Sequence, residues 1–594
     1  MLFGPKLRPL AVSVVALAFA ACGGTERIPG ELSAGPRPGP EAEAEPTAEE
    51  PRAVSSSVAE IRPAMAAENL PNVNASQSSG HQAEVSIAVD RFNPDRLIAA
   101  SMGGSSGRIL VMHSNDAGAT WQQILLPRSS GAGHHADPMV DFDSRGVAHL
   151  ANIPVSGGPQ GIDVHRSTDG GATWSPAIRI SENAGRDDKL ILVADDSLES
   201  PYLDRVYVAW KWPGGNIFLS RSFDGGVSWE EPRRIEFLNV SGLDMTLAAD
   251  GTVYLAVTNG SEKKMKVMRS TDGGESFEAP VTVADLRGRW YTFTPSICNR
   301  HALIHASIGV DRSEGPHRGN VYLTWSDHAP GSPSSCSNAC ASETACTADV
   351  YVSRSADGGL GWSEPRTVHE SGLGSSDQYH QWLEVDPVDG AVYVAYKDTR
   401  DDETRRATHV YLNRSTDGGA TWSASLRVST AESISDNGFQ YGDYQSLTAF
   451  DGRVWAAWAD HRESRGAGEI YVSRTLFEAE EPCPVEYGDV HYCRRCGPCA
   501  DGEGGCRKNK HCQEGLVCVP KVGADYGLPR NRGVCLAECP WPFGHRLHCR
   551  KCGPCAEEEG GCTLDKHCEQ GLECVDGVGP EFGFPRNSGV CLGT

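Results

Sequence analysis

Positive charge and long apolar stretches are both scarce in this chain. Only 54 Lys and Arg face 78 Asp and Glu over 594 residues, a formal charge of −24 at pH 7. That balance repels phosphate backbones and argues against nucleic acid as a partner. Beyond residue 21 no segment is apolar over the ~20 residues that a transmembrane helix needs. Aromatic residues make up only 7%, yet the hydrophobic share of 39% is enough for most of the chain to fold. What is abundant is glycine, 66 residues, with 13 Trp and 21 Cys. Glycine at that level points to many tight turns rather than long helices.

Lys6 and Arg8 precede an apolar run over 10–21, which ends in small residues directly before Cys22. This is the layout of a secretory signal, and the run is too short to span a bilayer. The segment resembles a bacterial lipoprotein signal, whose lipobox sets an acylated Cys at the first mature position, although Phe19 stands where that family usually has Leu. The resemblance implies a signal peptide over 1–21 and lipidation at Cys22. It also implies an exported, lipid-anchored protein at the bacterial outer membrane or cell surface, held to the membrane by that anchor only. Residues 22–68 are rich in Pro, Glu and Ala and poor in residues that could build a core, so they read as a disordered tether.

Over 69–478 one pattern recurs: strand-like segments, a strand ending in Arg-Ser, a glycine-rich turn, and a further strand. The turn reads SNDAGATW (114–121), STDGGATW (167–174), SFDGGVSW (222–229), STDGGESF (270–277), SADGGLGW (355–362) and STDGGATW (415–422). The aspartates, Asp116, Asp169, Asp224, Asp272, Asp357 and Asp417, can accept backbone N–H bonds across the turn while the glycines permit positive φ, so their expected role is structural. These motifs match the Asp-box, or bacterial neuraminidase repeat, and the region resembles the propellers of the sialidase superfamily. A seventh unit follows over 446–476 without box or fourth strand. Residues 69–77 resemble a post-box strand and can complete it, closing a ring with no exposed edge. The expected fold is all-β, a seven-bladed propeller, with the six blades familiar from sialidases as the alternative.

In such blades the boxes occupy one end, and the long irregular loops lie at the other, where a site is expected. The resemblance implies that a sialidase needs three arginines, a Tyr activated by Glu, and an Asp acid/base. The Arg-Ile-Pro motif of that family is absent from the first unit. Arg300, Arg400 and Arg462 remain as a replacement triad, with Tyr441 or Tyr444 as nucleophile, Glu384 as its partner and Asp443 or Asp137 as acid/base. The competing reading makes Asp398 with Arg400, and Asp460 with Arg462, local salt bridges between blades. Trp290, Tyr291 and Trp382 lie in or beside crossovers and are candidates for stacking on a sugar. No metal or cofactor is expected, because adjacent His134 and His135 point in different directions on an extended strand.

Cys298, Cys336, Cys340 and Cys346 fall in loops of the same face, where two disulfides are the economical reading. Beyond residue 482 sixteen cysteines form two sets: Cys483, Cys493, Cys496, Cys499, Cys506, Cys512, Cys518 and Cys535, then Cys539, Cys549, Cys552, Cys555, Cys562, Cys568, Cys574 and Cys591. Each of the second set lies 56 residues after its counterpart, so 483–536 and 539–594 are tandem Cys-rich modules, too small to fold without disulfides. They loosely resemble modules of insulin-like growth factor binding proteins, which implies a binding or stalk role. The functional expectation is a surface protein whose propeller binds extracellular glycans or proteins. The alternatives are an exo-acting glycoside hydrolase of sialidase type and a structural or adhesion protein. Oligomeric state is not set by the sequence.

Overall fold

The computed structural model describes residues 60–62 and 67–477, apart from 130, 156–160, 182–186, 213, 238, 293, 298–300, 334–335, 337–345, 371–372, 374 and 436–440, together with 499, 504–506, 512, 516–519, 533–536, 560–562, 568, 572–575 and 589–593. The proposed signal peptide, Cys22 and most of the tether lie outside these residues. Among those described no helix is long and apolar enough to cross a membrane.

Seven four-stranded antiparallel sheets form the propeller. Blades 1 to 7 start with inner strands Gln82–Val89, His134–Phe142, Asp188–Ala194, Val240–Leu247, Ser307–Val310, Gln378–Val385 and Ser446–Phe450. Second strands such as Val206–Trp212 and Val392–Asp398 are nearly continuous runs of β-branched and aromatic residues because neighbouring blades cover both faces. The sheet order places Ala67–Asn74 beside Glu469–Phe477 as the fourth strand of blade 7, with Ala67 opposite Phe477 and Asn74 opposite Tyr471. The ring therefore has seven blades, not six, and is closed by the start of the chain. One boundary moves: Glu60–Arg62 pairs in parallel with Thr421–Ser423, so the tether gives way to strand before residue 68.

Each box is a hydrogen-bonded knot. Its Ser Oγ donates to the Asp Oδ1 at 2.7–2.9 Å and accepts the N–H of the second glycine position at 2.7–2.9 Å. The same Oδ1 accepts the N–H four residues past the Asp. For Asp169 and Asp224 slight burial opposes ionisation, but these donors outweigh it and hold the carboxyls below their usual range. Gly171 has φ +92°, and a Cβ there would press on Ile98 and His113 of blade 1. The arginine of the Arg-Ser pair grips the following box: Arg221 Nη1 donates to Gly273 O at 2.9 Å, Arg269 Nη1 to Gly358 O at 3.1 Å and Arg354 Nη1 to Gly418 O at 2.8 Å. The boxes thus tie blade to blade.

Cys336 pairs with Cys346, closing the loop between the second and third strands of blade 5. Each C-terminal module contains a three-stranded sheet, Gly504–Cys506, Gly533–Leu536 and Val517–Val519 in the first, Gly560–Cys562, Gly589–Gly593 and Leu572–Val575 in the second. Cys506–Cys518 and Cys512–Cys535 bridge the first, and Cys568–Cys591 in the second repeats Cys512–Cys535 one period on. Cys499 and Cys574 are also disulfide-bonded. Cys298, Cys340, Cys483, Cys493, Cys496, Cys539, Cys549, Cys552 and Cys555 lie outside the described residues.

Candidate functional site

Inner strands run from the crossover end of the ring to the box end, and the two mouths of the central channel differ. At the box end Arg91 reaches Asp196 at 3.1 Å and Glu384 at 3.3 Å, while Arg312 reaches Asp196 at 2.7 Å. Burial nevertheless pushes the Glu384 carboxyl up to about 7. These residues line, together with the inner strands, a channel space of about 130 Å³.

At the crossover end the inner strands are irregular in a shared way. Their pairing shifts between Ala83 and Ser86, Ala136 and Met139, Asp188 and Leu190, and Tyr379 and Trp382. Within these bulges Glu84, Asp137, Lys189 and His380 hold φ of 57°, 51°, 43° and 51°. Left-handed backbone at a non-glycine residue costs roughly 1–3 kcal/mol and gathers at functional sites, and a bulge re-aims its side chain. The effect here is convergence. Asp137 Oδ2 accepts the Lys189 N–H at 3.2 Å, and the Asp137 carboxyl shares a hydrogen bond with Glu84. Lys189 Nζ lies 3.4 Å from the centroid of the Tyr444 ring. His305, Trp382 and Tyr444 form an aromatic cluster with centroids 5.8–6.4 Å apart.

Above this cluster opens a cavity of about 630 Å³. Asp137, Asp188, Lys189 and Asp443 line it together with Lys211, Asn239, Ser241, Trp290, Tyr291 and His301. Lys211 pairs with Asp188 at 3.0 Å. Trp290 packs where a Cβ on Gly260 would stand, so the indole depends on that glycine. Tyr291 starts a short hairpin with Ala302–Leu303, and its ring lies 3.6 Å from that of His301. Burial pushes the Asp137 carboxyl up, against the pull of Glu84 and Lys189, and pulls the Lys189 amine down. Burial likewise raises Tyr444 and lowers His305, so both are neutral near pH 7. Chemically the cavity offers hydrogen-bond acceptors, one buried amine and aromatic faces.

Residues 98–306 match the family described as BNR repeat-like domain. The ring is a seven-bladed propeller with Asp-box turns, part of which matches that repeat family. No curated protein matches the sequence. Among solved structures the propeller is similar to a protein of unknown function from Dyadobacter fermentans, at 14% identity over 69% of this chain and 99% of that one, TM-score 0.37. It is similar to the intramolecular trans-sialidase from Ruminococcus gnavus at 13% identity over 54% and 91%, TM-score 0.38. A Hadza microbial sialidase matches at 17% identity over 64% and 73%, TM-score 0.37. Likeness at this level carries no argument about chemistry, which has to come from the Asp-box propeller's own side chains.

Those side chains sort the expected site residues into two groups. Asp137, Asp443, Trp290 and Tyr291 line the one cavity, and Tyr444 lies beneath it against Lys189. The others lie elsewhere. Arg400 binds Asp398 at 2.7 Å and Glu370 at 3.0 Å and covers the Tyr411 ring; Arg462 binds Asp460 at 2.7 Å and covers Tyr471. These two guanidiniums are spent on local partners, each on its own blade and on the crossover leading into it, and share no partner, while Arg300 lies outside the described residues. Glu384 sits two residues beyond Trp382 toward the box end and pairs with Arg91, away from both tyrosines. Tyr441 is buried, its hydroxyl donating to Ser433 O at 2.9 Å, and burial raises it to about 12. Trp382 is buried within the inner strand of blade 6, where it packs on His305 instead of standing in a crossover. Among the described residues the one cysteine grouping with metal-ligand geometry, Cys506, Cys512 and Cys535, is accounted for by its disulfides.

Glu84, Asp188, Lys189, Lys211 and His305 escape a reading of motifs. A signal was present all the same. An ionisable or aromatic polar residue stands at the start of one inner strand after another, as Glu84 before VSIAV, Asp137 before PMVDF, Lys189 before LILVA, His380 before QWLEV and Tyr444 shortly before SLTAF.

Proposed function

We propose that the Asp-box propeller is a recognition module that binds a glycan in the cavity at its crossover end. The carrying observation is that cavity of about 630 Å³, whose lining combines Trp290 and Tyr291 with Asp137, Asp443 and Lys189. Aromatic faces beside convergent hydrogen-bonding groups suit a polyhydroxylated ring. The protein is further proposed to be exported and anchored by lipid at Cys22, with the disulfides as support, since such bonds persist in oxidising compartments. A sialidase reading is not favoured, because Arg400 and Arg462 are held in local ion pairs and no arginine is among the described residues lining the cavity. Binding of the purified protein to a glycan array tests the proposal. Trp290→Ala should lower the affinity for bound glycans at least tenfold, and a fluorogenic sialoside should show no turnover. Unchanged glycan binding in Trp290→Ala, or sialoside turnover by the native protein, would overturn it.

A further inference from the structure

We infer that the cavity takes a neutral sugar residue and excludes an acidic one, an inference that rests on the glycan-binding reading and names the class of glycan. The lining has a surplus of carboxylates. Asp137, Asp188 and Asp443 face two amines, Lys189 and Lys211, and Lys211 is already paired with Asp188 at 3.0 Å. Lys189 is the one remaining cation of the described lining. It is surrounded electrostatically by Asp137, Asp443, Glu84 and Asp244, and its ammonium lies on the Tyr444 ring. An incoming carboxylate would join a crowd of carboxyl groups around a single amine, and burial, which already pushes Asp137 and Asp244 toward their neutral forms, would penalise one more anion in the same way.

Hydroxyl groups meet the same lining on better terms. Lys189 is 4% exposed and its Nζ is buried without a hydrogen-bond acceptor, as is the hydroxyl of Tyr444. Lys189 lines the cavity and an unpaired buried donor is costly, so a ligand oxygen placed there would satisfy the amine. A sugar hydroxyl can accept from the amine and donate to Asp137 or Asp443 at once, while the apolar face of the ring lies on Trp290. A carboxylate can only accept. The bulges supply the geometry, because Asp137 and Lys189 reach the mouth through their left-handed backbone.

The test is an array printed in pairs, each neutral core with and without a terminal sialic acid, probed with the full-length purified protein. Neutral members should bind at least tenfold more tightly than their sialylated partners at moderate salt, and Asp443→Asn should narrow that ratio. Sialylated members binding as tightly as neutral ones, or more tightly, would overturn the inference while leaving glycan recognition standing. Binding to no member of any pair would instead remove the recognition proposal, and this inference with it.

Discussion

Arg400 and Arg462 show how one residue type serves the scaffold where a motif suggested a site. In both, the arginine N–H donates to the Asp two residues earlier, at 2.7 and 2.8 Å, the guanidinium returns to the same carboxylate, and its face covers a tyrosine of the third strand. Arg287 supplies a related stitch from a crossover, its N–H donating to Asp327 at 2.7 Å and its guanidinium lying toward Tyr351. Removing such a cation strands a buried carboxylate. Arg400→Ala should therefore cost about 3 kcal/mol of stability, because Asp398 would stay buried without its partner. Glycan affinity should not change. Urea unfolding and array binding of the same variant check both halves. The Asp-x-Arg spacing was plain in the sequence, but whether the fork met a ligand or its own blade depended on Tyr411 and Tyr471, which no local pattern connects to it.

Among the elements, the first strand of the propeller carries the most consequence for its length. Ala67–Asn74 holds the outer edge of blade 7 with side-chain support from the neighbouring blade, Asn72 Nδ2 donating to Val428 O at 2.8 Å and Asn69 Nδ2 to the same carbonyl at 3.2 Å. A propeller leaves only short outer edges, and removing this strand leaves Glu469–Phe477 with unpaired backbone groups. Deletion of residues 60–76 should lower the melting temperature by about 10 °C or more and promote aggregation. Near-UV circular dichroism and a thermal melt would show it, and a synthetic peptide covering 66–78 should restore part of the loss by adding the strand in trans. The likeness of 69–77 to a post-box strand made this closure readable from the chain. The bulges were not readable, since inner strands such as Gln82–Val89 are buried on both faces and carry no alternation for an extra residue to interrupt.

Across the whole molecule, burial of charge along the channel links stability to pH. Burial, reinforced by Asp196, pushes Asp141 up to about 7, and burial likewise raises Asp244 and Glu384 to about 7. The unfolded chain would ionise these groups near ~4. The folded form therefore binds protons that the unfolded form releases, and each such group lowers stability as pH rises from about 4 to about 7. Asp141→Asn removes one of these penalties, so its melting temperature relative to the native protein should be more favourable at pH 8 than at pH 5. Paired thermal melts at the two pH values measure this, and a difference of the opposite sign would show that Asp141 is ionised in the fold.

Repeats determine what can be read along the chain. Ser, Asp and Gly at constant spacing close the same hydrogen-bonded turn wherever they occur, and the 56-residue step between cysteine sets needs no knowledge of neighbours. These are local chemistry, so blade number, ring closure and the paired modules followed from sequence alone. The cavity did not, because Glu84, Asp137, Lys189 and Tyr444 come from four blades and meet only through ring closure and left-handed backbone at three of those positions. Proximity among residues so far apart in the chain is a property of tertiary packing, and the same packing took Arg400, Arg462 and Glu384 out of the site.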